Sequence, residues 1–149
     1  MAEQSRDNTV LLEVIDCGFN KKSWHGPNLM QSINGLTAKE AAWHPRGRKS
    51  IWQHVLHAAF WKDRVTTKLL GIEQPDIELN WEKVGVVSGK SWSAALARLK
   101  KSHQRLRSAV RKALPSSGQK EKWVFHGVAL HDIYHAGQIQ LLRKLMGKP

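Results

Sequence analysis

At 149 residues, with 41% hydrophobic and 24% charged side chains, the chain has the length and apolar content of one domain that builds its own core, which excludes a disordered tail and a small disulfide-held scaffold. Twenty-four Lys and Arg stand against 12 Asp and Glu, and the net charge of +12 favours anionic partners without choosing among them. The single cysteine, Cys17, has no partner for an internal disulfide and suits a reducing compartment. No apolar run approaches the roughly 18 residues that a membrane span requires. The N-terminal MAEQSRDNTV lacks the basic start and apolar core of a secretory signal, so the expected location is cytoplasmic.

Residues 1–149 read as a single all-α domain, a four-helix bundle whose residues 1–7 are expected to be flexible. The first helical stretch covers residues 8–33 and is interrupted at Gly26-Pro27, because proline removes a backbone donor and crowds the preceding turn. The second covers residues 50–70, with Ser50 as N-cap and Gly71 as the stop. A long connection over residues 72–90 follows, carrying Pro75, Gly85 and Gly89; in a bundle with short links, such a length implies a crossover or a loop with a function. Within it, VGVV at residues 84–87 is the only place where a strand could pair briefly. The third helix covers residues 91–114, ends at the PSSG turn, and carries Arg98, Lys100, Lys101, Arg105, Arg107, Arg111 and Lys112 on what reads as a solvated outer face. The fourth covers residues 121–146 and ends at Gly147.

Chemistry-bearing residues concentrate in the fourth helix. At about 100° per residue, Val124, Val128, His131, His135, Gln138, Leu142 and Leu145 share one side, so two histidines and a glutamine interrupt a core-facing stripe. A buried imidazole without a partner is costly, and that placement implies a ligand, a network or water. His131 and His135 are spaced i, i+4, which stacks their rings on adjacent turns, close enough to share a metal ion. In the second helix, His54 and His57 lie near Ile51, Ala58, Trp61 and Val65 on the inward face; the angles put His54 at the centre and His57 toward the edge, and leave open which one completes a three-histidine site. Three neutral imidazoles suit zinc or nickel and leave a coordination position for water or substrate.

These residues resemble the DinB/YfiT-like superfamily of four-helix metalloproteins. The likeness is carried by SIWQHVLHAAFWK (residues 50–62) and HDIYHAGQIQLLRK (residues 131–144), with support from WHGP (24–27) and AAWHP (41–45). The third helix and the connection before it match poorly. The resemblance implies a metal site of His57, His131 and His135, with His54 one turn before His57, and it implies zinc or nickel as the ion. It also implies an activity, either transfer of a low-molecular-weight bacterial thiol or metal-dependent hydrolysis.

Around that centre, Trp61 is expected to wall the pocket, Gln138 to orient a ligand or close the floor, and His25 in WHGP to be a contact or a kink residue. Asp132 and Tyr134 are expected to point 60 to 100° away from the site, while His44, His103 and His126 are expected to be surface or packing residues. Trp52, Trp92 and Trp123 read as packing. With no carboxylate on the inward faces to act as a base, thiol transfer is favoured over hydrolysis. The expected partners are a small-molecule thiol or electrophile and a second copy of the chain. The alternatives are a non-catalytic metal-bound structural or sensing homodimer, and a module that binds nucleic acid weakly and non-specifically through its basic third helix.

Overall fold

The structure, a computed structural model, describes residues 2–74 and 80–148, with side chains from Asn8 onward. Pro75 therefore lies outside the described residues, as do the side chains on which the expected flexibility of residues 1–7 would be judged. Among the described residues the fold is all-α: α1 (Ala2–Phe19), α2 (Leu29–Ile33), α3 (Ala38–Ala42), α4 (Ile51–Leu69), α5 (Gly89–Ala113) and α6 (Gln119–Leu145), with one 3-10 turn at Leu114–Ser116. No strand occurs among them, so VGVV runs as irregular chain. No helix among them is long and apolar enough to cross a membrane.

The first helix does not run to Ile33. It stops at Phe19, where the Asp16 carbonyl accepts from both Asn20 N and Lys21 N at 2.9 Å. The chain then turns through Gly26, at φ +107° where an L side chain would be strained, and restarts at Asn28. Asn28 and Gln31 form a capping box: Asn28 Oδ1 accepts from Gln31 N at 2.9 Å and Gln31 Oε1 accepts from Asn28 N at 3.0 Å. Asn28 Nδ2 also donates to the Lys21 carbonyl at 2.8 Å, pinning the new start to the old end. The interruption expected at Gly26-Pro27, a kink or a break, is a break, and a local capping signal starts the new helix just beyond it.

α4 starts as its sequence indicates, with Ser50 and Gln53 in a second capping box and Gly71 at φ +70° beyond its end. α4 packs along α5 and α1 along α6, while α6 also meets α2 and α4. One apolar core joins α2, α4, α5 and α6 around Leu29, Ile51, Val55, Leu99 and Ile139; a second joins α1, α5 and α6 around Ile15, Leu106, Val110 and Phe125. Each such fully buried side chain contributes about 1.5–3 kcal/mol. Gly18 allows α1 its close approach to α6, since a Cβ there would stand 2.9 Å from the Ala129 carbonyl oxygen. Trp52 and Trp92 are buried together, and Trp92 Nε1 donates to the Leu36 carbonyl at 3.0 Å, tying α5 to the segment before α3.

Buried charge is paired where the helices meet. Lys62 of α4 donates to Asp132 of α6, with both side chains at most 2% exposed. Asp16 of α1 accepts from Arg107 Nε at 2.7 Å and Arg107 Nη2 at 3.0 Å, and Lys21 stands 3.0 Å away. Burial works to raise the Asp16 pKa, but these cations outweigh it and hold the carboxyl below its ordinary value. The basic face of α5 is accordingly less free than its sequence suggests, since Arg98 pairs with Glu82 and Arg105 approaches Asp63. Lys100, Lys101, Arg111 and Lys112 are exposed.

Candidate metal centre

The buried face of α6 is Phe125, Ala129, Asp132, His135, Ala136, Ile139 and Leu142, one residue around from the expected stripe. Val124, Val128 and His131 are half-buried at its edge, and Leu145 is exposed. The rotation follows from α6 having to serve three neighbours, α1, α2 and α4. It brings Asp132 inside, contrary to the expectation that this carboxylate points away, where Lys62 holds one of its oxygens. The other oxygen has no hydrogen-bond partner. Burial pushes the Asp132 pKa up, while Lys62 pulls it down.

Where α4 faces α6, four imidazoles converge. His57, His131 and His135 each offer one ring nitrogen to a group whose atoms all lie within 4.8 Å of one another. His135 Nε2 is 3.0 Å from His131 Nε2, and His135 Nδ1 is 2.8 Å from His54 Nδ1. His57 Nδ1 donates to the Asn80 carbonyl at 2.8 Å, which fixes that ring's tautomer and leaves Nε2 as a lone-pair donor. Two nitrogens bound to one ion at ~2.0–2.1 Å stand roughly 2.9 to 3.4 Å apart, between right-angle and tetrahedral geometry, and the His131–His135 pair falls in that range.

The environment keeps these rings neutral. Burial first, and the neighbouring imidazoles next, lower the pKa of His135 to about 2 and of His131 to about 4. Burial followed by His57 takes His54 to about 4. Burial also lowers His57, against the opposing pull of its Asn80 hydrogen bond. A neutral imidazole carries the lone pair that a metal needs, so the donor set fits a divalent ion.

Helix angles left His54 and His57 as alternatives and the family resemblance implied His57; the structure brings both in, His57 into the three-nitrogen group and His54 as the hydrogen-bond partner of His135. Trp61 meets the His57 ring edge to face at 6.2 Å. It lines a cavity of about 310 Å³ with Lys62, Val65, Val124 and His131. Gln138 lines a second cavity of about 210 Å³ on the other side, with His54, Tyr134, Arg48 and Lys49. His25 is exposed in the loop between α1 and α2, where burial assigns it no place among the converging rings. His44 and His126 are exposed; His103 is a packing residue, stacked on Phe19 at 3.7 Å.

Sequence reasoning missed Trp81. It stacks flat on His57, with centroids 3.9 Å apart and planes 7° from parallel, and stands perpendicular to the His54 ring at 5.3 Å. With Asn80, it makes the long connection one wall of the centre. An aromatic in an unusually long loop was the available signal.

A DinB-superfamily sequence profile matches residues 23–139. The chain belongs to the DinB superfamily. Comparison with curated proteins and with solved structures gives no match. Membership and a buried three-histidine group together fit a metalloprotein, and the matched region of this DinB chain contains every residue of that group.

Proposed function

We propose that this chain is a metal-dependent enzyme in which His57, His131 and His135 hold one divalent ion, zinc or nickel, and which transfers a low-molecular-weight thiol to an electrophilic small molecule in a reducing, cytoplasmic setting. The observation that carries this reading is the convergence of three neutral imidazoles from two helices on one point, flanked by a cavity on each side. An ion held there would lower the pKa of a bound thiol or water and so supply a nucleophile near neutral pH.

The chain's own residues orient and exclude. Asn80 and Trp81 lock the His57 ring, His54 orients His135, and Trp61 walls the apolar cavity on the His131 side. Arg48 and Lys49 give the His54-side cavity a positive lining that suits an acidic thiol. Asp132 carries the only carboxylate buried on α6, and its engagement by Lys62 argues against service as a base, which favours thiol transfer over hydrolysis. A second copy of the chain is part of the proposal, because Leu130, Tyr134, Leu141 and Leu145 expose an apolar strip along α6.

The test is metal content and turnover together. Purified protein should hold about one zinc or nickel per chain, and His131→Ala should lose both the metal and thiol transfer to a generic electrophile, by at least about 100-fold. Full metal occupancy in that variant would end the reading, and ester hydrolysis without thiol transfer would replace transferase by hydrolase.

A further inference from the structure

Between α4 and α6 a cavity of about 310 Å³ reaches the histidine centre through His131. Its remaining walls are Trp61 and Val65 from α4, and Trp123, Val124 and Val128 from α6. Lys62 also lines it, but the lysine contributes only its aliphatic stem. Its ammonium is turned into the bundle, where it donates to Asp132 and lies 5.2 Å from the centroid of the Phe19 ring. The cavity thus offers a ligand two tryptophans, three valines and no free charge. Gly127 also lines it and adds no side chain, and a Cβ built there would meet nothing within 4 Å.

We propose that this cavity binds the uncharged, apolar part of the substrate on which the histidine centre acts, an aromatic or branched aliphatic group of on the order of ten non-hydrogen atoms by the ~30 Å³ that each water-sized unit fills. The inference rests on the reading of the centre as catalytic. It goes further in dividing the two sides of the cluster: the cationic cavity beside His54 takes the acidic partner, and the apolar one beside His131 takes a neutral partner. The two tryptophans in its wall favour an aromatic ligand, and the absence of any unpaired charge disfavours an anionic one.

The test uses the neutral fluorophore 2-naphthol, a flat molecule of that size, and the metal-loaded full chain. Wild type should bind it saturably, and its addition should shift the NMR methyl signals of Val65, Val124 and Val128 while leaving those of Val55 and Val110 unmoved. Val65→Trp and Val124→Trp, which fill the cavity from opposite walls, should each weaken binding at least about 10-fold with metal content retained. Wild-type affinity in both variants, or methyl shifts confined to other valines, would overturn the proposal. The methyl measurement needs no variant to fold. Failure of the catalytic reading is separable: it would appear as a wild-type chain without stoichiometric metal, whereas failure of the cavity would leave the metal in place and the three valines unshifted.

Discussion

Two buried histidines of this chain sit in opposite situations. His135 has another imidazole at hydrogen-bond distance from each of its nitrogens. His103, on α5, has a ring equally buried and stacked on Phe19, and its nearest polar neighbour is Asp16 at 3.7 Å. Both rings are held neutral by burial, His103 with a pKa of about 3 and His135 about 2. Burial and a depressed pKa therefore do not distinguish a metal ligand from a packing residue. Convergence of ring nitrogens does: around His135 the neighbours are three further imidazoles, whereas around His103 they are Asp16 and the Arg107 paired with it.

The sharpest way to break that comparison is to unpair the charge lying between the two regions. Lys62→Met would leave Asp132 buried without its cation, and should cost about 3–5 kcal/mol in urea unfolding. The double change Lys62→Met with Asp132→Leu should recover most of that loss. An equal loss in the double variant would mean that the pair does more than neutralise itself.

A smaller effect probes the His135 region alone. Trp81→Ala removes the face on which His57 rests and loosens its Asn80 hydrogen bond, so affinity for zinc should fall by roughly 10 to 100-fold while the melting temperature hardly moves. Competition against a chelator of known affinity measures it. Unchanged affinity would show that α4 by itself orients His57.

A third prediction concerns His103. Burial first, and Lys62 next, lower its pKa from 6.5 to about 3, with Asp16 pulling the other way. Between those values the unfolded chain binds a proton that the folded chain refuses. The contribution to stability is therefore complete above about pH 6.5 and is lost as pH falls toward 3, by at most about 1.4 kcal/mol per pH unit. His103→Leu should flatten the stability profile between pH 6.5 and 4.5 relative to wild type. Parallel profiles would place the acid sensitivity in other groups.

Local signals were legible wherever a few neighbouring residues decide the outcome. Ser50 capped α4 and Gly71 ended it as their types require, and the i, i+4 spacing put His131 and His135 on adjacent turns. The interruption at Gly26-Pro27 was legible too, but α1 stops earlier, at Phe19, and the Asn28 and Gln31 box starts a separate helix beyond the proline. The stripe on α6 was misread for a reason that is not local. A helical wheel gives angles between residues but not which angle faces inward, and packing of α6 against α1, α2 and α4 set that, turning Asp132 into the bundle.

The sequence by itself determined an all-helical chain, its family, and the residue types able to hold a divalent ion, because helix periodicity, caps and motif spacing act over a few residues. Only the tertiary structure decided that His54 joins His57 at the centre, that Trp81 and Asn80 close it from a distant loop, and that Lys62 and Asp132 neutralise each other beside it. Those contacts join residues 23 to 81 positions apart, and no local rule specifies the distance between groups that only folding brings together.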